Sequence, residues 1–404
     1  MGICAKATRS AGLRLQSMVE SAFHWRVLVD MYATGHYVPI ADSPTMSVVP
    51  GEPAVWKAVL PTLRRPSGGY RVCARPALET AMEIHSAWGT FEWLMQDCFA
   101  LGHRVGVVAN SDGHKGRPGA SYPGASEFGA YGGLTCFLLD QLERDDLFDC
   151  LKNRRHYATT GARIHIDLSV TADTGVAHFA VDPVVQANLP VAVDRLIMGD
   201  IGCTASKAVD LKFSVHAPAP ILQVDVLKGP DLVQTVRNPA PIKDSSRIRI
   251  LWRGAMAKGR GARADWTGKA VFRDAKILKT AEINAWNPDR RLQQDGAEIH
   301  WSSVTAGNFG AFDVWLAEGP DATVAIETNH GSVELALREA TAVPAVFALG
   351  GLYLELHVMR LPEVLDQGTL SAMITVPLAE GRDDPIWIRV TTEDGFQAWT
   401  SPIY

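Results

Sequence analysis

Two short carboxylate–imidazole pairs stand out in the 404-residue chain, Glu83-Ile84-His85 and Asp112-Gly113-His114. Each closes an apolar run of strand type, in "AMEIHS" and "RVGVVANSDGH". Residues two apart in an extended chain point to the same side. Each pair would therefore offer one oxygen and one nitrogen donor together. Such donors suit zinc, manganese or iron, and a bound divalent ion lowers the pKa of a water toward neutrality. A hydrogen-bonded Asp–His pair in a turn is the bland alternative, and two pairs at neighbouring strand ends leave both readings open. Seven glycines lie in the loop 113–133, together with Lys115 and Arg117. Glycines let backbone amides approach an anion, and the two cations add charge. That composition fits contacts to a substrate phosphate; a plain loop covering the rim is the other reading.

The flanking pattern supplies the elements that would position these groups. A short strand is expected at about residues 80–85. In "TFEWLMQDCFALG", Phe91, Leu94, Met95, Cys98 and Phe99 fall at i, i+3, i+4, i+7 and i+8, which predicts an amphipathic helix. Gly102 is placed to stop it. "RVGVVAN" is the next strand. A strand–helix–strand unit makes the two strands parallel neighbours or near neighbours. Their carboxyl ends then share the edge where α/β folds bind ligands. "LTCFLL" reads as a third strand and "LERDDLFDCLKNRR" as a helix with Leu142, Leu147, Phe148 and Leu151 inward. Arg154, Arg155 and His156 follow within reach of the site, although helix C-termini favour basic residues in any case.

From about Gly161 the pattern alternates with period two, as in "ARIHIDLSV", "DLKFSVHA", "ILQVDVLKG", "RIRILWRG", "FDVWLAEG" and "DATVAIETNHGSVELAL". "IWIRVTTEDGFQAWTS" carries an Asp-Gly turn signal between two such runs. The expected organisation is α/β plus all-β. Residues 1–75 read poorly, 76–162 form an α/β domain, and 163–404 form one or two β-sandwich modules. The tryptophans of the β region (Trp252, Trp266, Trp286, Trp301, Trp315, Trp387, Trp399) fit a core better than a sugar platform. "KGRGAR", at 258–263, reads as a solvated basic turn.

Composition bounds the rest. The chain is 47% hydrophobic and 21% charged, as in a globular protein. A net charge of -5 argues against a nucleic-acid partner. No apolar run approaches membrane-spanning length, so no membrane partner is expected. The start lacks the apolar core of a secretory signal, and a cytoplasmic location is expected. Six cysteines without C-x-x-C spacing point to reduced, mostly buried thiols. Cys98 and Cys136 lie in apolar elements that disfavour a nucleophile. Nothing in the sequence sets an oligomeric state.

"NSDGH" after an apolar strand resembles the last metal-binding motif of the PHP (polymerase and histidinol phosphatase) superfamily. "MEIHS" is similar to the preceding strand of that fold, which carries a Glu near its end. The longer run from "EIHSAWGTFEWL" through "GHRVGVVANSDGHKGRPGASYPGASEFGAYGGLTC" to "RRHYATTGARI" closely resembles a bacterial PHP-related family of mostly unknown function. The resemblance covers about residues 77–166, and "DPIWIRVTTEDGFQAWTSPIY" resembles that family's C-terminal end. It implies a partial PHP-like fold (a distorted β/α barrel), a cluster of divalent metals, and hydrolysis of a phosphorylated small molecule. Carried over, Asp112 and His114 match the final ligand motif, and Glu83 matches a strand position near the metals. His85 departs from the small polar residue usual there. The superfamily's opening H-x-H is missing: upstream of Glu83 stand only His24 and His36, and Ser67 in "RRPSGGYR" replaces an expected histidine. The expectation is an incomplete chain lacking the N-terminal metal-ligand motifs. Two functions follow from it. One is a metal-dependent phosphoesterase-like hydrolase using manganese, zinc or iron. In it Asp112 and His114 are catalytic ligands, Glu83 and His85 are further metal ligands or stand just behind the ligands, and Lys115 and Arg117 bind substrate. The other is a non-catalytic remnant acting as a β-sandwich binding or scaffolding protein.

Overall fold

The computed structural model describes residues 79–112, 130–242, 245–256, 263–285, 287 and 290–404. Residues 1–75, and His114, Lys115 and Arg117 of the glycine-rich loop, lie outside the described residues.

The expected strand–helix–strand unit is present as β1 (Ala81–Ser86), α1 (Glu92–Ala100) and β2 (Gly106–Ala109). β1 and β2 pair in parallel, with Glu83 opposite Val108 and His85 opposite Ala109. α1 buries Leu94, Met95 and Cys98 on one face, as the spacing predicts. Its first turn also buries Glu92, whose carboxylate complements the helix N-terminus. Gly102 ends it at a φ of +71°, open to glycine without penalty.

β3 (Leu134–Phe137), α2 (Arg144–Lys152) and β4 (His156–Thr159) follow. The other principal strands are β5 (His165–Thr171), β6 (Ala208–His216), β7 (Ile221–Lys228), β8 (Asp231–Val236), β9 (Arg247–Arg253), β10 (Ala264–Ile283), β11 (Phe309–Thr328), β12 (Glu355–Arg360), β13 (Thr369–Pro377), β14 (Ile386–Thr392) and β15 (Gln397–Thr400). β3 and β4 do not extend the parallel pair. They complete a six-stranded antiparallel sheet ordered β8-β7-β14-β15-β4-β3. That sheet runs across residue 162, where the sequence changes its pattern: Ala158 pairs Trp399 and Thr159 pairs Ala398.

A four-stranded sheet, β13-β6-β5 with Leu196–Ile197 at its edge, packs on one face of the six-stranded sheet. Ile166, Leu168 and Phe213 from one side meet Val224, Ile388 and Ala398 from the other. On the opposite face, Ile84, Met95 and Val107 of the α/β unit pack on Leu227, Trp387 and Trp399. The molecule is thus three layers deep here. Burial follows: β5 alternates exposed and buried residues, because one face meets solvent. β14, covered on both faces, is buried at six of its seven positions.

β9 to β12 belong to an eight-stranded sheet that is inserted between β8 and β13. Trp252, Trp266 and Trp301 lie in its core with Phe312, the core role expected of them. Trp315 is half-buried under Arg247 and Lys279, and Trp286 lies outside the described residues. Two runs read separately in the sequence, "FDVWLAEG" and "DATVAIET", are one 20-residue strand, β11. Its pairing jumps from Glu318 opposite Ala275 to Thr323 opposite Arg273. Pro320 falls inside that jump, where its missing N–H leaves no ladder bond unmade. Gly319 sits against the Asp274 carboxylate, at a separation no larger residue would allow.

Among the described residues no sheet closes into a barrel. None of their helices is long and apolar enough to cross a membrane.

Candidate metal centre

The parallel pair brings the ends of β1 and β2 to one rim, and the chain re-enters this rim after the glycine-rich loop. Asn110 N donates to His85 O at 3.1 Å, Gly133 N to Asn110 O at 2.8 Å, and Ala130 N to Ala87 O at 3.1 Å. Gly132 passes so close to Ser111 that a Cβ would sit 3.1 Å from its Cα. Asn110 and Ser111 on one side of the segment 113–129, and Ala130, Gly132 and Gly133 on the other, are therefore held at the rim.

Glu83 is fully buried in β1. The Asn110 amide nitrogen, Nδ2, donates to Glu83 Oε1 at 2.7 Å. A carboxylate accepts and an amide nitrogen donates, so this contact sets the orientation of the amide. Asn110 Oδ1 is then left buried, and it meets no donor among the described residues. A buried carbonyl oxygen without a donor is costly unless something electropositive faces it. Two residues on, Asp112 is half-buried, with a φ of 46°. Aspartate tolerates this left-handed conformation better than most residues, and such strain concentrates at functional sites. Asn110 is the residue that motif reading passed over. Its signal was its place at the head of "NSDGH", two positions before Asp112.

His85 is built differently from Glu83. The register of β1 against β2 is irregular between the two residues, so the even extension assumed for the pair does not hold. His85 Nε2 lies 2.8 Å from Tyr131 O, and Nδ1 lies 2.9 Å from Thr90 Oγ1. A carbonyl only accepts, so Nε2 carries the proton and Nδ1 accepts from the threonine hydroxyl. Neither nitrogen offers a lone pair to a metal in this arrangement. The ring stacks on Trp399 at 6.1 Å. Burial pushes its pKa down to about 4, against the opposing pull of the Tyr131 carbonyl, so the ring is neutral at pH 7. His85 anchors Tyr131 and with it the returning end of the loop.

Arg154, Arg155 and His156 turn away from the rim. Arg154 Nε donates to Gly199 O at 3.0 Å, and Arg155 pairs with Asp200 at 2.6 Å. His156 Nδ1 lies 2.8 Å from Val107 O, behind the middle of β2. Burial drives the Cys98 thiol up to about 12, so it carries no thiolate. Beneath the rim, Arg389 of β14 donates to both Glu92 oxygens at 2.9 and 3.0 Å and to Asp225 at 2.9 Å. Trp399 Nε1 donates to the same Glu92. This bridge ties α1 to the six-stranded sheet.

With Glu83 accepting from Asn110, the oxygens of Asn110 and Asp112 and the imidazole of His114 are donor types that would fit manganese, zinc or iron. Within the described residues alone, no three of His, Cys, Asp and Glu are grouped to hold a metal. No protein-family model, no curated protein and no solved structure matches the chain.

Proposed function

We propose that the rim of β1 and β2 is the metal centre of a phosphoesterase-like hydrolase with a PHP-like α/β unit. The observation that carries this reading is Asn110: its nitrogen is fixed on buried Glu83 and its oxygen meets no donor among the described residues. Asp112 and His114 hold the ion, Asn110 Oδ1 adds a third donor, and Glu83 sets the amide's orientation. When bound, the ion supplies Lewis acidity and lowers the pKa of a water. Lys115, Arg117 and the loop amides hold the phosphate of a small phosphorylated substrate. His85 acts through Tyr131 as a positioning residue.

The test is metal content of the purified chain by mass spectrometry, together with cleavage of an aryl phosphate. The unmodified protein is expected to carry manganese, zinc or iron and to cleave the ester. The D112A/H114A double variant should lose both. Equal cleavage by the double variant would overturn the reading.

One observation favours a second reading, a non-catalytic remnant whose sandwich serves as a binding or scaffolding module. Both nitrogens of His85, a residue of the expected ligand set, are taken up in hydrogen bonds. This reading expects neither hydrolysis by the unmodified chain nor rim metal, the latter scored as metal lost on D112A/H114A.

A further inference from the structure

The outer face of the four-stranded sheet carries two histidines that the rim does not use. His165 on β5 and His216 on β6 are directly opposite each other in the antiparallel register. Both rings are exposed, and their centroids are 6.1 Å apart with planes inclined at 60°. Metal–nitrogen bonds of about 2.0–2.1 Å put the centroids of two imidazoles on one ion roughly 5–6 Å apart. The observed separation of 6.1 Å is close to that range, and exposed side chains change rotamer at little cost.

The neighbouring groups favour the same use. Asp167, two residues along β5 on the same face, places Oδ2 3.9 Å from His165 Nδ1. That is too long for a hydrogen bond, but a change of rotamer would let the carboxylate accept from Nδ1–H and leave the Nε2 lone pair for a metal. Ser214, opposite Asp167, has its hydroxyl 3.4 Å from His216 Nε2, a long contact that a metal would displace. Thr369 and Ser371 on β13 lie opposite His216 and Ser214 and bring no charge; Lys212 is the next residue of this face of β6 beyond Ser214.

We propose that His165 and His216 bind one borderline-soft divalent cation of the copper, nickel or zinc class. The two imidazoles serve as ligands, Asp167 as the orienting carboxylate, and water fills the remaining positions. Copper should bind more tightly than zinc. Magnesium and calcium, which prefer oxygen donors, should not bind there. This site is independent of the rim, so zinc or copper found in the whole protein has to be divided between the two.

The experiment is calorimetric titration of the metal-stripped full chain with copper and with zinc. It is repeated on His165→Ala, His216→Gln and D112A/H114A, with copper electron paramagnetic resonance alongside. The expected result is a saturable site that is lost in His165→Ala and in His216→Gln and retained in D112A/H114A, whatever the rim binds besides. Its copper spectrum should show coupling to two imidazole nitrogens. Unchanged binding in both histidine variants, or a copper spectrum without imidazole coupling, would overturn the proposal. Circular dichroism confirms that each variant is folded, as expected for exposed positions. Loss of metal in D112A/H114A alone would instead report on the rim.

Discussion

Histidine is put to opposite uses on the two outer layers of this molecule. In the α/β layer, His85 is buried against Trp399 with both nitrogens bonded, and burial holds it neutral. On the outer face of the four-stranded sheet, His165 and His216 stand in solvent opposite each other. A buried imidazole must satisfy both ring nitrogens from its surroundings, because an unmet polar group in the interior is costly. An exposed one is satisfied by water, which a metal readily displaces. The difference teaches that a histidine near a strand end becomes a ligand only where the fold leaves a lone pair uncommitted. In the site proposed at the rim, that role passes to Asn110 and Asp112.

The strongest way to break the comparison is to separate the layers. Arg389→Ala would leave Glu92 and Asp225 buried without their shared cation. A loss of about 3–5 kcal/mol in chemical denaturation is expected. The titration of His85 should move up toward that of an exposed ring, while metal binding at His165 and His216 persists. A variant as stable as the parent would show that the bridge does not hold α1 to the sheet.

A smaller effect should follow from pH. His85 titrates near 4 in the folded protein, against 6.5 for an ordinary histidine, so between these values the unfolded chain binds the extra proton. The stabilisation is fully present above pH 6.5 and falls away as pH drops toward 4, by roughly 3 kcal/mol for such a shift. His156, also pushed down to about 4 by burial, adds in the same direction. Stability measured from pH 7 to 4 should fall less steeply in His85→Gln than in the parent. Parallel curves would refute the assignment. The smallest expected change is His165→Ala, within about 0.5 kcal/mol of the parent at neutral pH, because the ring is exposed and fills no core.

Much of the architecture was legible residue by residue. The spacing of Phe91, Leu94, Met95 and Cys98 matched α1, and the alternation in "ARIHIDLSV" and "DLKFSVHA" matched β5 and β6. The Asp-Gly signal matched the turn between β14 and β15, where Gly395 has a φ of +89°. Each of these is a local matter, governed by which face of one element meets apolar surface. The rim was legible only in part. Glu83 and Asp112 could be singled out by type, but the Glu83–Asn110 bond and the bond of His85 to the Tyr131 carbonyl depend on contacts remote in sequence.

Sequence alone therefore settled the periodicities, the turn, and the residue types able to hold a metal, since these depend on side chains within a few positions of one another. Tertiary structure decided what those residues face. The pairing of Trp399 with Ala158 places the C-terminal hairpin beside the segment that follows α2 and slides a tryptophan under His85. The insertion of β9 to β12 between β8 and β13 leaves no mark in local alternation, because an antiparallel strand reads the same whichever neighbour it finds. Whether an imidazole anchors a loop or waits for a metal is set by burial and by the competition for its lone pairs, and both arise only when distant segments meet.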